Sequence, residues 1–264
     1  MRYLANAVVV VLTLGLSTPV IAGQFEDARA AYDQRDYATA LRLLRPLAEQ
    51  GYAPAQTELG NMLAKAEGVS KDLVESAKWY RKAADQGFAT AQMNLGGMYR
   101  QGEGVEENYG EAVKWYRLAA EQGLAEAQHN LALMYLLGYG VPRNHAEAAT
   151  WFRMAADQGN AEAQCDLGGL YHEGLGVKQD YPEAAKWFRM AAERGVVKAQ
   201  RNLGILYAKG QGVPKDYVEA HMWFSLAAKL GSEKASLNRD EVAKQMTPDQ
   251  IAQAQKRMQE WSPK

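Results

Sequence analysis

The sequence predicts an all-α fold built from tandem helical hairpins, a solenoid rather than a single globular core. Three observations predict it. Tryptophan recurs at Trp79, Trp115, Trp151, Trp187 and Trp223, each 36 residues after the last. Ala-Gln keeps the same step at Ala55-Gln56, Ala91-Gln92, Ala127-Gln128, Ala163-Gln164 and Ala199-Gln200. Paired alanines followed by glycine do so as well, from Ala83-Ala84…Gly87 to Ala227-Ala228…Gly231. A period of this size is one supersecondary unit copied in tandem, stabilised by stacking on its neighbours.

Each copy reads as two helices. The first carries an apolar stripe at i, i+4, i+7 and i+8, as in Ala91, Leu95, Met98 and Tyr99. It ends at a glycine such as Gly102, the usual left-handed residue closing a helix. A glycine loop follows: Gly102-Glu103-Gly104-Val105, Gly138-Tyr139-Gly140-Val141, Gly174-Leu175-Gly176-Val177 and Gly210-Gln211-Gly212-Val213. The first copy is degenerate there, reading Ala66-Glu67-Gly68-Val69. The second helix opens on a cap, Asp72, Asn108, Asn144, Asp180 or Asp216, with glutamate three residues on. The cap oxygen is predicted to accept from the free N–H groups of the first turn, and the glutamate to reach back. The second helix then buries small alanines and the aromatic pair that begins with the tryptophan.

The ends differ. Residues 23–54 hold a half-matching unit without the glycine loop, in which Asp36-Tyr37 and Ala40 align with Asp72, Leu73 and Ser76. Residues 55–231 hold the five regular copies. Residues 232–264 lose the leucine and glycine of the pattern. Thr247-Pro248-Asp249-Gln250 is a capping box with proline at the first helical position. The helix after it places Ile251, Ala254, Met258 and Trp261 on one face. This last segment is expected to cover the final copy.

Residues 1–22 read as an export signal: an arginine at position 2, an apolar run from Ala7 to Leu16, and small residues Val20 and Ala22 before Gly23. The run is short of the roughly 20 residues needed to span a bilayer. An exported, periplasmic or secreted protein is therefore expected, with cleavage between Ala22 and Gly23. The precursor charge is −1, and losing Arg2 takes it to −2. Charges of both signs are interspersed, so nothing supports nucleic-acid binding, which relies on basic tracts. Cys165 is the only cysteine, which excludes an intrachain disulfide.

The combination Ala91-Gln92, Leu95-Gly96, Tyr99, Gly102-Glu103-Gly104-Val105, Ala112, Trp115, Ala119-Ala120 and Gly123, repeated in register, resembles the Sel1-like repeat, a relative of the tetratricopeptide repeat with a longer loop. The resemblance covers most of the chain. It implies a right-handed α/α superhelix and a scaffold or adaptor role, without a particular ligand. The half-matching unit at 23–54 looks tetratricopeptide-like.

No catalytic constellation stands out. There is no His-Glu-x-x-His, no phosphate loop, no Gly-x-Ser-x-Gly and no Ser-x-x-Lys. No catalytic or metal-binding residue is assigned, and no cofactor is expected. His129 and Cys165 share one position in adjacent copies, but equivalent positions in stacked repeats lie about 10 Å apart, too far for ligands at about 2 Å from one ion. His145 and His221 read as packing substitutions. The tryptophans read as core.

By analogy with the tetratricopeptide superhelix, the first helices would line a concave face. Its variable lanes run through Thr57, Met93, His129, Cys165 and Arg201; through Asn61, Gly97, Leu133, Gly169 and Ile205; and through the pairs Ala64-Lys65, Arg100-Gln101, Leu136-Leu137, His172-Glu173 and Ala208-Lys209. Leu133, Leu136 and Leu137 are unusual in being apolar where other copies are mostly polar or small. The candidate partner-binding set is therefore Met93, Arg100, His129, Leu133, Leu136, Leu137, His172, Glu173, Arg201 and Ile205. The expected function is a non-catalytic protein–protein interaction scaffold of the cell envelope. Two other readings stay open: an envelope hydrolase, and binding of peptidoglycan or polysaccharide without catalysis. Convergent titratable groups in the groove would favour the enzyme.

Overall fold

The computed structural model describes residues 18–262, which contain fourteen α-helices and no strand. They divide into two compact units, at Gln86 and Gly87. The first, as described, holds α1 (Thr18–Asp33), α2 (Tyr37–Glu49), α3 (Ala53–Lys65) and α4 (Leu73–Asp85). The second holds α5 (Ala89–Gln101), α6 (Tyr109–Glu121), α7 (Ala125–Leu137), α8 (His145–Asp157), α9 (Ala161–Glu173), α10 (Tyr181–Glu193), α11 (Val197–Lys209), α12 (Tyr217–Lys229), α13 (Glu233–Ala243) and α14 (Pro248–Glu260). In the regular copies the odd-numbered helix comes first and the even-numbered helix second. The expected signal segment lies largely outside the described residues. Its last residues form the start of α1, which runs through Ala22–Gly23 and packs Ile21 against the core of the first unit.

Within a copy, glycine sets how closely the two helices meet. A Cβ on Gly96 would lie 2.8 Å from the Tyr116 ring, and Gly168 stands in the same relation to Phe188. The absent side chain lets the second-helix aromatic enter the hairpin. Tyr116, Phe188 and Phe224 are accordingly among the largest fully buried side chains, and Phe152 is buried against Ala132 in the copy where alanine takes that place. Between copies, the second loop glycine is packed against backbone. A Cβ on Gly140 would lie 2.3 Å from the Tyr109 carbonyl oxygen of the preceding copy, and φ there is +69°. Glycine thus serves both the turn and the stacking distance.

Polar bonds repeat with the same period. The buried glutamines of the Ala-Gln pairs donate to the preceding copy: Gln128 Nε2 to Ala120 O at 3.1 Å, Gln164 to Ala156 O at 3.1 Å and Gln200 to Ala192 O at 3.2 Å. Their other atom accepts from the glutamine closing the second helix, as Gln92 does from Gln122 (2.7 Å) and Gln128 from Gln158 (2.8 Å). Arg194 and Leu230 replace that closing glutamine in the last two copies. Gln164 Oε1 and Gln200 Oε1 are left buried without a donor. Arginines of the second helix donate to tyrosine hydroxyls of the next copy, Arg117 to Tyr135, Arg153 to Tyr171 and Arg189 to Tyr207.

The caps form as expected: Asp72, Asn108, Asn144, Asp180 and Asp216 each accept from the backbone N–H of the residue three on. None of the five glutamates reaches back, because each cap N–H already donates to a carbonyl of the preceding helix, as Asn108 N does to Tyr99 O at 2.9 Å and Asp180 N to Tyr171 O at 3.0 Å. Glu111 and Glu183 instead accept from the indole N–H of Trp115 (3.2 Å) and Trp187 (3.1 Å), one turn along the helix. A buried indole N–H needs an acceptor, and these glutamates are free to supply it. The full capping box forms at Thr247 and Gln250. After it, Ala254 is buried, while Met258 and Trp261 pack on the core around Trp223 and Leu226 of α12.

Candidate functional site

The lanes on the odd-numbered helices are not uniform. Thr57 and Cys165 are buried, so the first lane is not a continuous surface. Cys165 belongs to a core cluster with Ala199 and Leu203 of the next copy, whose first helix covers it. Burial pushes its thiol up to about 12. A protonated, covered thiol is neither a metal ligand nor a ready partner for another chain.

Of the candidate residues, Leu137 is the most open of the three leucines, at 50 % exposure. Leu133 and Leu136 are half-buried and pack against the core cluster of the third and fourth copies. Met93 packs in the same way against the second and third. Ile205 packs on Phe224 and Val242 and lines a small apolar recess beside α13, so it belongs to the C-terminal contact rather than flanking the leucines. His172 meets Tyr181 edge-on at 5.5 Å, and Glu173 is exposed at the end of α9.

Arg100 and Arg201 are half-buried, and in both the Nε is shielded from solvent with no acceptor. Such a donor carries an unmet desolvation cost; closed to water, it is closed to a partner's oxygen too, so contact with a partner falls to the exposed part of each guanidinium. Leu137 is the lane residue with a large exposed apolar side chain, and the two arginines are partly exposed.

His129 has a partner that the sequence did not reveal. Its Nε2 lies 3.1 Å from Asp166 Oδ2, and Lys198 Nζ lies 2.8 Å from Asp166 Oδ1. The three residues come from α7, α9 and α11 and stitch three copies together. Burial acts to raise the Asp166 carboxyl, but the bonds from His129 and Lys198 outweigh it and hold the group below its usual range. Among the described residues no three His, Cys, Asp or Glu side chains converge as a metal site requires.

Sequence reasoning missed two further features. One is an exposed apolar row on the second helices, Leu118, Met154 and Met190, at the 36-residue step. Its next member, Leu226, is buried in the core cluster against which Met258 and Trp261 pack. The other is a polar cavity of about 480 Å³ among α12, α13 and α14. His221 and Ser225 line it and are buried, with Ser225 Oγ 3.4 Å from His221 Nδ1. The two sit one turn apart on one helix, and no carboxylate is hydrogen-bonded to the imidazole among the described residues. Serine catalysis needs a base oriented by a third group and donors for an oxyanion, and this pair has no orienting carboxylate.

The family model for the Sel1 repeat matches residues 31–52, 53–88, 89–124, 125–160, 161–196 and 197–232. The chain belongs to the Sel1 repeat family. Its first match falls within the half-matching N-terminal unit. Among solved structures it is similar to c5321, a protective antigen of uropathogenic Escherichia coli strains displaying an SLR fold, with 35 % identity and a TM-score of 0.81 over 91 % of this chain and 53 % of that one. The chain thus spans about half the length of that antigen. It is also similar to a Sel1 repeat protein from Oxalobacter formigenes, at 39 % identity and TM-score 0.76, covering 80 % of this chain and 84 % of that one. No curated protein matches. Sel1 repeats generally mediate protein–protein interaction, and the chain shares that all-α repeat fold. No helix among the described residues is long and apolar enough to cross a membrane.

Proposed function

We propose that this Sel1 repeat protein is a non-catalytic scaffold of the cell envelope that holds a partner polypeptide along its odd-numbered helices. One observation carries the reading: the half-buried arginines Arg100 and Arg201 lie on the same helix series that exposes the large apolar side chain of Leu137. Backbone carbonyls or carboxylates of a bound segment pair with the exposed part of such guanidinium groups, and an apolar side chain of that segment covers the leucine. Leu137 is the exposed large apolar residue on the odd-numbered helices of the regular copies. The envelope placement rests on the apolar run and small residues before Gly23. N-terminal mass determination on protein recovered from cells tests it: a chain starting at Gly23 supports export with cleavage, and an intact Met1 rejects it.

The partner surface is tested by photo-crosslinking. A crosslinking side chain at position 137 is compared with one at 154 on the second-helix row. Specific adducts with a cell-envelope protein from 137 and none from 154 support the reading. Adducts from 154 alone move the binding surface to the other helices.

A further inference from the structure

The geometry points to a binding site for a small organic oxyanion, bearing a carboxylate or phosphate group, in the cavity among α12, α13 and α14. The argument begins with register. The copies keep leucine at Leu95, Leu131, Leu167 and Leu203, and thirty-six residues later the chain has Arg239. The buried glutamine of every copy, last seen at Gln200, becomes Ser236. The arginine that bonds the next tyrosine, last seen at Arg189, becomes Ser225, and Ala185 becomes His221. These four departures from the framework all line the same cavity.

A terminal unit is expected to be polar on its outer side. That need does not account for polar residues lining a recess, two of which, His221 and Ser225, are buried. Both α13 and α14 pack on α12, and the recess lies among the three. Its size, about 480 Å³, falls in the range of small-molecule sites.

The chemistry of the wall selects the ligand. It contains a guanidinium, the Lys229 ammonium, hydroxyls and the amides of Gln255 and Gln259, and no carboxylate. Arg239 gives Nε and Nη2 to Asp240 on its outer side, and Nη2 also to Ser236 Oγ at 3.1 Å. Those bonds leave Nη1 unused. The hydroxyls of Ser225 and Ser236 add donors beside it, which suits an oxyanion better than a cation or an apolar group. Burial, with Arg239 adding to it and Asp240 opposing, holds the His221 imidazole low. Asp240 pairs with Arg239 from outside the lining, which leaves Lys229 as the cavity's cation without an ion-pair partner among the described residues.

The test is a titration of the full chain followed by the His221 imidazole resonances. The probes are inorganic phosphate and citrate at constant ionic strength, with chloride and glucose as controls. A saturable shift of His221 with phosphate or citrate, absent with chloride and glucose, is expected. Arg239→Gln should weaken that binding at least tenfold, and Lys229→Gln, at an exposed position, several-fold. No saturable shift with either anion overturns the site, as does an equal response to glucose. If Arg239→Gln fails to fold, Lys229→Gln decides alone: unchanged affinity rejects the proposal.

Discussion

The fourth copy and the fifth carry the same framework and use it differently. In the fourth, Trp187 donates to Glu183 and Arg189 to Tyr207. In the fifth, the equivalent Glu219 is taken by Arg257 of α14, and Trp223 Nε1 is left buried without an acceptor. Trp223 meets Trp261 edge-on instead, with ring centres 6.1 Å apart. Ser225 stands where Arg189 does. The fourth copy bonds its indole within its own helix and its arginine to the next copy, whereas the fifth gives up both bonds, attaches the C-terminal helix and borders a polar recess. The repeat therefore supplies a frame, and individual character enters where a framework residue is replaced.

The largest effect should come from detaching the cap. Met258→Ser with Trp261→Ser removes two apolar side chains from α12, each contributing about 2 kcal/mol. A melting temperature lowered by several degrees and increased aggregation are expected. An unchanged melt would mean that α14 adds nothing to the fifth copy.

Next is the link across the third to fifth copies. Asp166→Asn should destabilise the chain by about 2 kcal/mol, because it leaves His129 and Lys198 without their carboxylate. The Asp166 carboxyl is depressed in the fold, so its stabilisation is present above the unfolded value of about 4. It is lost as pH falls through the lower folded value. Denaturant melts of wild type and variant should differ at pH 7 and converge in strong acid. A gap that persists in acid would place the effect in packing.

A smaller gain is expected where the glutamine ladder is broken. Arg194→Gln restores the donor that Gln164 Oε1 lacks and should stabilise by about 1 kcal/mol, measured as a higher denaturant midpoint. Loss of stability would show that the Arg194 bond to the Gly159 carbonyl matters more. Smallest is Ala66→Gly. Ala66 holds φ of +60° where other copies have glycine, and relief of that strain is partly offset by the freer unfolded chain. A gain of about 0.5 kcal/mol is expected in the first unit.

The period, the five caps and the helix-closing glycines were legible because each is a local preference repeated in register. Their structural counterparts fall at Asp72, Asn108, Asn144, Asp180 and Asp216, and at Gly102, Gly138, Gly174 and Gly210. Contacts between copies were not legible. His129 bonds Asp166 because the neighbouring helix brings it there, and Cys165 is buried because α11 covers it. The lanes assumed that every residue outside the apolar stripe faces outward, which stacking overrules at Thr57 and Cys165. The replacements at Ser225, Ser236 and Arg239 were visible as departures from the period. Only the packing of α13 and α14 on α12 shows that they share one cavity.

The central claim is that the odd-numbered helices carry a partner surface separable from the framework. Two triple variants test it: Arg100→Ala/Leu137→Ser/Arg201→Ala, and Leu118→Ser/Met154→Ser/Met190→Ser on the second helices. Quantitative recovery of crosslinked or co-purifying envelope protein is measured for both, alongside thermal melts. The account predicts that the first variant loses most of the recovered partner, at more than 1 kcal/mol per anchor, with little change in its melt. The second should retain it. Full recovery by the first and loss by the second, with both folded, would contradict the account.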